Sequence, residues 1–487
     1  MSDNLAKKLF FKGLAFFKKR KYDEAARIFN EILTINPRNV NSLIILSQIC
    51  KIKNNNSEYE ILLKKIIKLD ENNYQSLNNL ALLYKENNFI EKAEFYFKKT
   101  IEKNSNYSKA VFNLALLYEE KGNLKDALDL YKKALKIEIL PSIYFNIIRI
   151  DENYIDKINL DQIKYICESK ESNLKERAYA YFILAIKERR EKNIDNEIKY
   201  LELGHQLFMN SDEIYLKSNN YWIDKIPKIF LKKLKYSKIQ KKENNIINLN
   251  PIFIVGLPRS GTTLVESLIS SQKKKIKNYG ETSVISQSVG NFLLTKYLND
   301  NKINLTSIKK DIIEGYNKFI NSNANTPITF VDKTLENIFF IDIIQKIFPK
   351  SKIIICKRDY FHNFVAIFQQ CLAGLPWTHN KDSVLKYITN FNLILRKIRK
   401  LRYNNTLFVN LSELTNSPVM SSKKIFKFCN LEWDKSVLKF YERDDLVIKT
   451  ASNIQIRKEI FKYDSSKFKE YEKPFRKYFK KINTLKN

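Results

Sequence analysis

Apolar positions in the first part of the chain fall at helical spacing, and the pattern repeats. Leu80-Ala81-Leu82-Leu83-Tyr84 returns as Leu114-Ala115-Leu116-Leu117-Tyr118, a shift of 34 residues, and Ala93 returns as Ala127 at the same shift. Two periods upstream of Ala81 and Ala93 stand Gly13 and Ala25, and Phe29 matches Phe97. Turn signals (Asn36-Pro37, Asn104-Ser105, Gly122-Asn123) separate the apolar runs. The pattern predicts paired antiparallel helices whose small residues let neighbours approach, with large apolar residues filling between them. Near residue 250 the period changes. Pro251-Ile252-Phe253-Ile254-Val255 reads as a short buried strand. A glycine-bearing loop follows, then an apolar helix to about Ser271, and later strands end near Phe330-Val331, Lys352–Cys356 and Thr406–Leu411.

The period of 34 resembles the tetratricopeptide repeat over about residues 4–140, in four units of which the second (39–72) is weakest. A degenerate unit is expected at 177–210, where Leu184-Ala185 fits the first helix but Glu197 stands at a small-residue position. The expected fold is an all-α tetratricopeptide solenoid followed by an α/β domain with a parallel sheet and a P-loop-like turn. The divisions are 1–140 for the repeats, 141–249 for a helical continuation with linker, and 250–487 for the α/β domain. Such a solenoid commonly holds peptides or proteins on its concave face. The alternative is a spacer or a dimerisation arm, which leaves a homodimer open.

Composition narrows the chemistry. With 9 Gly and 10 Pro in 487 residues, a collagen-like or linker-like chain is excluded. Cys50, Cys167, Cys356, Cys371 and Cys429 form no CxxC pair, which argues against a local zinc site and fits a reducing, cytoplasmic setting. Only three histidines occur, so no metal is expected. No apolar run reaches the roughly 18 residues of a membrane helix. The net charge of +33 points to an anionic partner or to lysine-rich composition alone. No recognised nucleic-acid motif accompanies the lysines, so nucleic acid is not the expected partner.

The loop Gly256-Leu257-Pro258-Arg259-Ser260-Gly261-Thr262-Thr263-Leu264 joins a strand to a helix N-terminus, an arrangement whose free N–H groups and dipole favour phosphate oxygens. Its spacing imitates GxxxxGK[ST], but Thr262 stands where a triphosphate enzyme keeps lysine, and Arg259 supplies a cation inside the loop. The loop suits a shorter anion with one 5′-phosphate and a neighbouring group.

Pro258–Leu264 resembles the 5′-phosphosulfate loop of sulfotransferases, which use 3′-phosphoadenosine 5′-phosphosulfate (PAPS) as donor. With the repeats in front, the chain is similar to bacterial tetratricopeptide-repeat sulfotransferases, whose catalytic half resembles protein-tyrosine sulfotransferases. The resemblance spans about 250–479. It implies that Pro258, Arg259, Ser260, Gly261, Thr262 and Thr263 hold the 5′-phosphosulfate. It makes Glu281, 22 residues after Arg259 in Gly280-Glu281-Thr282, the catalytic base. Lys333 of Asp332-Lys333-Thr334 would act on the transferring sulfuryl group, and Ser452 of Thr450–Arg457 would touch its oxygens. Arg358 would bind the 3′-phosphate, although Tyr360 replaces a usual proline and Ala366 stands where a serine is usual. Lys467, twelve residues past Gln455, would reach the phosphate side. Leu411-Ser412 occupy the place of a usual Tyr-Glu pair. His362 is expected on a solvated helix face, and Tyr471 to Phe479 in the core. The implied activity is metal-free transfer from PAPS to a hydroxyl, with protein tyrosine leading and a protein or peptide acceptor held by the repeats. The rivals are a non-catalytic scaffold with a decayed sulfotransferase domain and a P-loop nucleotide kinase.

Overall fold

The computed structural model describes residues 2–231, 235–237, 249–272, 276–295, 302–319, 328–443, 447–450 and 452–485. The basic run 232–242 (apart from 235–237), the Asn-rich stretch 244–248 and Ala451 lie outside them. Contacts divide the chain into two units, residues 1–119 with 123–150, and residues 120–122 with 151–487.

The first unit is helical: α1 (Ser2–Lys18), α2 (Tyr22–Ile35), α3 (Val40–Ile52), α4 (Asn56–Leu69), α5 (Tyr74–Glu86), α6 (Ile90–Lys103), α7 (Ser108–Lys121), α8 (Leu124–Ile137) and α9 (Pro141–Ile150). The small residues do what their spacing predicts. Ala25, Ala81, Ala93, Ala115 and Ala127 are fully buried, and a Cβ on Gly13 would fall 2.9 Å from the Phe29 ring. The repeat extends to polar contacts. Tyr84 donates to Glu60, which also pairs with Lys64. At a shift of 34 residues Tyr118 donates to Glu94, which pairs with Lys98. The second repeat is weak in sequence because buried Ser47 and Tyr59 stand where its neighbours keep glycine or alanine. It still forms a helical pair, since Leu43, Leu46, Leu62 and Ile66 supply the core.

The second unit begins with α10 (Leu160–Glu168), α11 (Leu174–Arg190) and α12 (Ile194–Asn210). The expected degenerate repeat is the α11–α12 pair, where a Cβ on Gly204 would lie 3.2 Å from the Ala178 carbonyl. Close approach thus occurs at Gly204, while position 197 holds a buried glutamate.

A five-stranded parallel sheet follows: β1 (Leu249–Gly256), β2 (Lys277–Asn278), β3 (Ile328–Asp332), β4 (Lys352–Lys357) and β5 (Thr406–Asn410). Their spatial order is β2-β3-β1-β4-β5. β1 starts two residues before the expected strand, so Leu249 and Asn250 belong to the sheet and not to a linker. Ile252 to Val255 are all buried, as an unbroken apolar run in a covered parallel strand should be. The register sets Phe253 beside Asp332, Gly256 beside Cys356, and Lys357 beside Asn410. The motif-bearing ends of β1, β3, β4 and β5 therefore share one edge, the carboxyl edge where open α/β sheets bind ligands. Among the described residues no helix is long and apolar enough to cross a membrane.

Candidate active site

The loop after β1 is compact enough to restrict every position. Gly256 ends the strand where a Cβ would meet Ser260 Oγ at 2.7 Å and the Cys356 carbonyl at 2.8 Å. Arg259 and Gly261 both take positive φ, +66° and +95°, which turns successive N–H groups toward one side. Gly261 starts α13 (Thr262–Ser270), whose first turn has no side-chain cap. Those amide groups are available to an anion. Ser260 Oγ is buried and has no hydrogen-bond partner among the described residues, a donor left for something other than protein.

Arg259 is gripped by the tail. Its guanidinium donates to Ser452 Oγ at 2.6 Å and to Gln455 Oε1 at 2.8 Å. Thr263 and Thr450 hydroxyls meet at 3.2 Å. On the other side Arg358, just past β4, donates to the Arg259 carbonyl at 3.0 Å and to the Tyr463 hydroxyl at 3.1 Å. Its guanidinium also stacks on Tyr463 and Phe468, each 4.9 Å away. The ammonium of Lys467 is held below its ordinary pKa, by partial burial and by the like charges of Arg358, Arg259 and Arg189. Cations forced together in this way suit a polyanion.

A second cluster lies around Lys333. The short loop from Gly280, with φ +64°, to Ser283 is stitched to the end of β3. Lys333 N–H donates to the Gly280 carbonyl, and Ser283 N–H to Thr334 Oγ1. Asp332 accepts from Thr282 at 2.7 Å and from Tyr316 at 2.6 Å. This scaffold sets Glu281 directly against Lys333 in an ion pair. The lysine side chain is 1% exposed, whereas Glu281 is 46% exposed and open to an incoming molecule. Glu266, one turn into α13, brings a second, buried carboxylate to 3.7 Å from Lys333 Nζ. Burial works against the lysine charge, yet Glu281 and Glu266 together raise its pKa above the ordinary value. α13 thus joins the two clusters, carrying the anion loop at its start and Glu266 one turn later.

Beside Arg358 a cavity of about 610 Å³ opens at the ends of β4 and β5, lined by Lys357, Arg358, Arg396, Arg399, Asn410 and Ser412 among others. The Lys357 ammonium is depressed, first by burial and then by the Arg399 charge. Both cations lie over the Phe408 ring.

All the residues singled out from sequence (Pro258 to Thr263, Glu281, Lys333, Arg358, Ser452, Lys467) belong to these two clusters. His362 is only partly exposed, 20%: its Nδ1 pairs with the Tyr463 hydroxyl at 2.7 Å and its ring stacks on Phe468. Sequence reasoning missed Glu266, Gln455, Tyr463, Lys357 and Arg399. Only Glu266 carried a local signal, as the lone acid within the apolar helix TTLVESLIS.

This geometry belongs to a domain of known type. Residues 251–435 match the model of the sulfotransferase family, and residues 9–39 and 78–141 match tetratricopeptide-repeat models. The chain thus carries tetratricopeptide repeats followed by a sulfotransferase-family domain. It is 25% identical over 313 residues to an uncharacterized protein of Aquifex aeolicus (strain VF5), covering 61% of this chain and 40% of that one. The chain therefore spans well under half the length of that curated relative. Similar solved structures are repeat proteins. One is pilF of Pseudomonas aeruginosa, at 16% identity, covering 41% of this chain and 90% of that one, with a TM-score of 0.35. Another is a tetratricopeptide repeat protein from Parabacteroides merdae, at 18% identity, covering 45% and 90%, with a TM-score of 0.31.

Proposed function

We propose that the chain transfers a sulfuryl group from PAPS to a hydroxyl, with a protein tyrosine as acceptor. The observation that carries this reading is the Glu281–Lys333 pair, an open carboxylate against a buried ammonium, one helical turn from an anion loop that holds arginine in place of the P-loop lysine.

The residues suit such a donor. Ser260 Oγ and the amides that open α13 would hold the 5′-phosphate end. Arg358, with Lys467 nearby, would hold the 3′-phosphate, and the basic cavity beyond Arg358 is roomy enough for a nucleoside. Ala366 offers that phosphate no hydroxyl, and Lys357 and Arg399 supply charge from the same cavity. When bound, the donor supplies the sulfuryl group and its phosphate leaving group. Glu281 is open to an acceptor hydroxyl and takes its proton. Lys333 and Arg259 present fixed positive charge where negative charge develops, and Ser452 keeps Arg259 aimed. The repeats would present the peptide that carries the acceptor.

The test is incubation with labelled PAPS and tyrosine peptides, beside calorimetry with adenosine 3′,5′-bisphosphate. Wild type should bind the bisphosphate and label peptide. Lys333→Ala and Glu281→Gln should each lower kcat by about a hundredfold or more while binding the bisphosphate as before. Absence of bisphosphate binding, or parental turnover in Glu281→Gln, would overturn the reading.

A further inference from the structure

The site contains one acidic group that the reading above leaves idle. Glu266 is 3% exposed and sits in α13, with its carboxylate toward Lys333. Its Oε2 has no hydrogen-bond partner among the described residues and lies 3.7 Å from Lys333 Nζ, so its counter-charge is the lysine. Lys333 is 1% exposed. A buried ammonium with no counter-charge is strongly disfavoured and loses its proton or its place.

Glu281 cannot serve as that counter-charge throughout a turnover. As the acceptor oxygen bonds to sulfur, the bond from sulfur to the leaving phosphate oxygen breaks, with its electron pair staying on that oxygen. The acceptor's proton passes to Glu281, whose carboxylate becomes neutral. At that moment, when charge on Lys333 is most needed, its nearest partner is gone. We propose that Glu266 is a positioning residue that keeps the Lys333 ammonium in place and charged once Glu281 has taken the acceptor's proton.

The charges around the lysine favour this division of labour. Lys333 is faced by Glu281 from the 280–283 loop, Glu266 from α13 and Glu336 from the turn after β3, while Asp332 is tied to Thr282 and Tyr316. Glu266 is harder to ionise than an ordinary glutamate, first because it is buried; Lys333 pulls the other way, and the Glu281 charge adds to the penalty. When Glu281 is neutralised, that repulsion vanishes and the pull of Lys333 remains. The two carboxylates therefore act in alternation, each easing the other's protonation. Glu336 is pushed up to about 7, first by burial and then by the Glu281 charge; among the described residues the carboxylates within ion-pair distance of Lys333 are Glu281 and Glu266.

The inference rests on the proposed reaction for its purpose, but its test is partly independent of it. In the ligand-free protein a cycle of Glu266→Gln, Glu281→Gln and the double variant is followed by thermal unfolding. Either carboxylate alone should hold Lys333, so the double variant should lose more than the sum of the singles, and adding Lys333→Met should restore much of the loss. In turnover, Glu266→Gln should lower kcat about tenfold and move the alkaline limb of the pH profile down by about one unit. Its affinity for adenosine 3′,5′-bisphosphate should stay at the parental value, and Glu266→Asp should recover part of kcat. Additive unfolding losses, or an unmoved alkaline limb, would overturn the assignment. If the wild-type protein transfers no sulfuryl group, the functional reading falls, while the unfolding cycle still decides whether Glu266 and Glu281 share Lys333.

Discussion

Gly261 carries a conformational demand that no other residue type meets well. Its φ is +95°, and a Cβ there would lie 2.8 Å from Leu411 Cδ1. Gly261→Ala should therefore cost about 2 kcal/mol in a denaturant titration and weaken adenosine 3′,5′-bisphosphate, because the same turn aims the α13 amides. Retention of both stability and affinity would show that the loop relaxes without consequence. This loop was legible in the sequence because its information is local: two glycines, an arginine and three hydroxyls in a row between a strand and a helix. Arg399 was not. It lines the cavity from the helix Lys381–Leu401, together with residues at the ends of β4 and β5 that are distant in sequence, and nothing near it in sequence marks it. Glu266 lies between these cases, visible as an acid in an apolar helix but without meaning until Lys333 is beside it.

The α11–α12 pair shows how an element departs from its repeat for a reason. Glu197 is fully buried at a position that the first, third and fourth repeats fill with alanine. It accepts from Arg189 Nε at 2.6 Å, from the Tyr471 hydroxyl at 2.6 Å and from Gln369 Nε2 at 3.1 Å. The hairpin is thus fastened to the tail that carries Lys467 and to the helix Tyr360–Phe368 that begins just after Arg358. Glu197→Ala should remove the acceptor from three groups at once and cost about 3 kcal/mol in global stability; Glu197→Gln, which keeps an oxygen, should cost less. A loss under about 0.5 kcal/mol in Glu197→Ala would mean the contacts are incidental. The sequence exposed this departure as a mismatch to the repeat but could not say what answered it, since the partners come from distant segments. Four of the strands were easier to read. β1, β3, β4 and β5 are apolar runs bounded by turn residues, and only their ends shifted, with Leu411 opening a short helix instead of closing β5; β2, only Lys277–Asn278, has no apolar run and was missed.

At the scale of the molecule, acid should act on the fold through one buried pair before it acts through the carboxylates. His205 of α12 and His379 of the turn Pro376–His379 bring their Nδ1 atoms to 2.8 Å, and His205 Nε2 meets the Phe368 carbonyl at 2.8 Å. Both rings are buried, His379 stacked on Phe208. One Nδ1 must donate and the other accept, so the two rings cannot both be charged. Burial lowers His205 to about 4 from 6.5, and His379 is held well below 6.5 by burial and by the neighbouring histidine. In the unfolded chain both histidines protonate near 6.5, so between there and about 4 the unfolded state binds more protons and stability falls with pH. Each histidine then contributes a slope of about 1.4 kcal/mol per pH unit. Most carboxylates are still ionised above pH 5, so this loss precedes the repulsion that their protonation would add to a chain of net charge +33. Thermal unfolding followed from pH 7 to pH 5 at fixed ionic strength should show a steady fall in midpoint for the parent protein. The double variant His205→Phe with His379→Phe, which keeps an aromatic pair with nothing to protonate, should lose that fall and keep only the opposite contribution of Glu336, whose raised pKa lets the folded state take up its proton first. An equal fall in both proteins would place the acid sensitivity elsewhere.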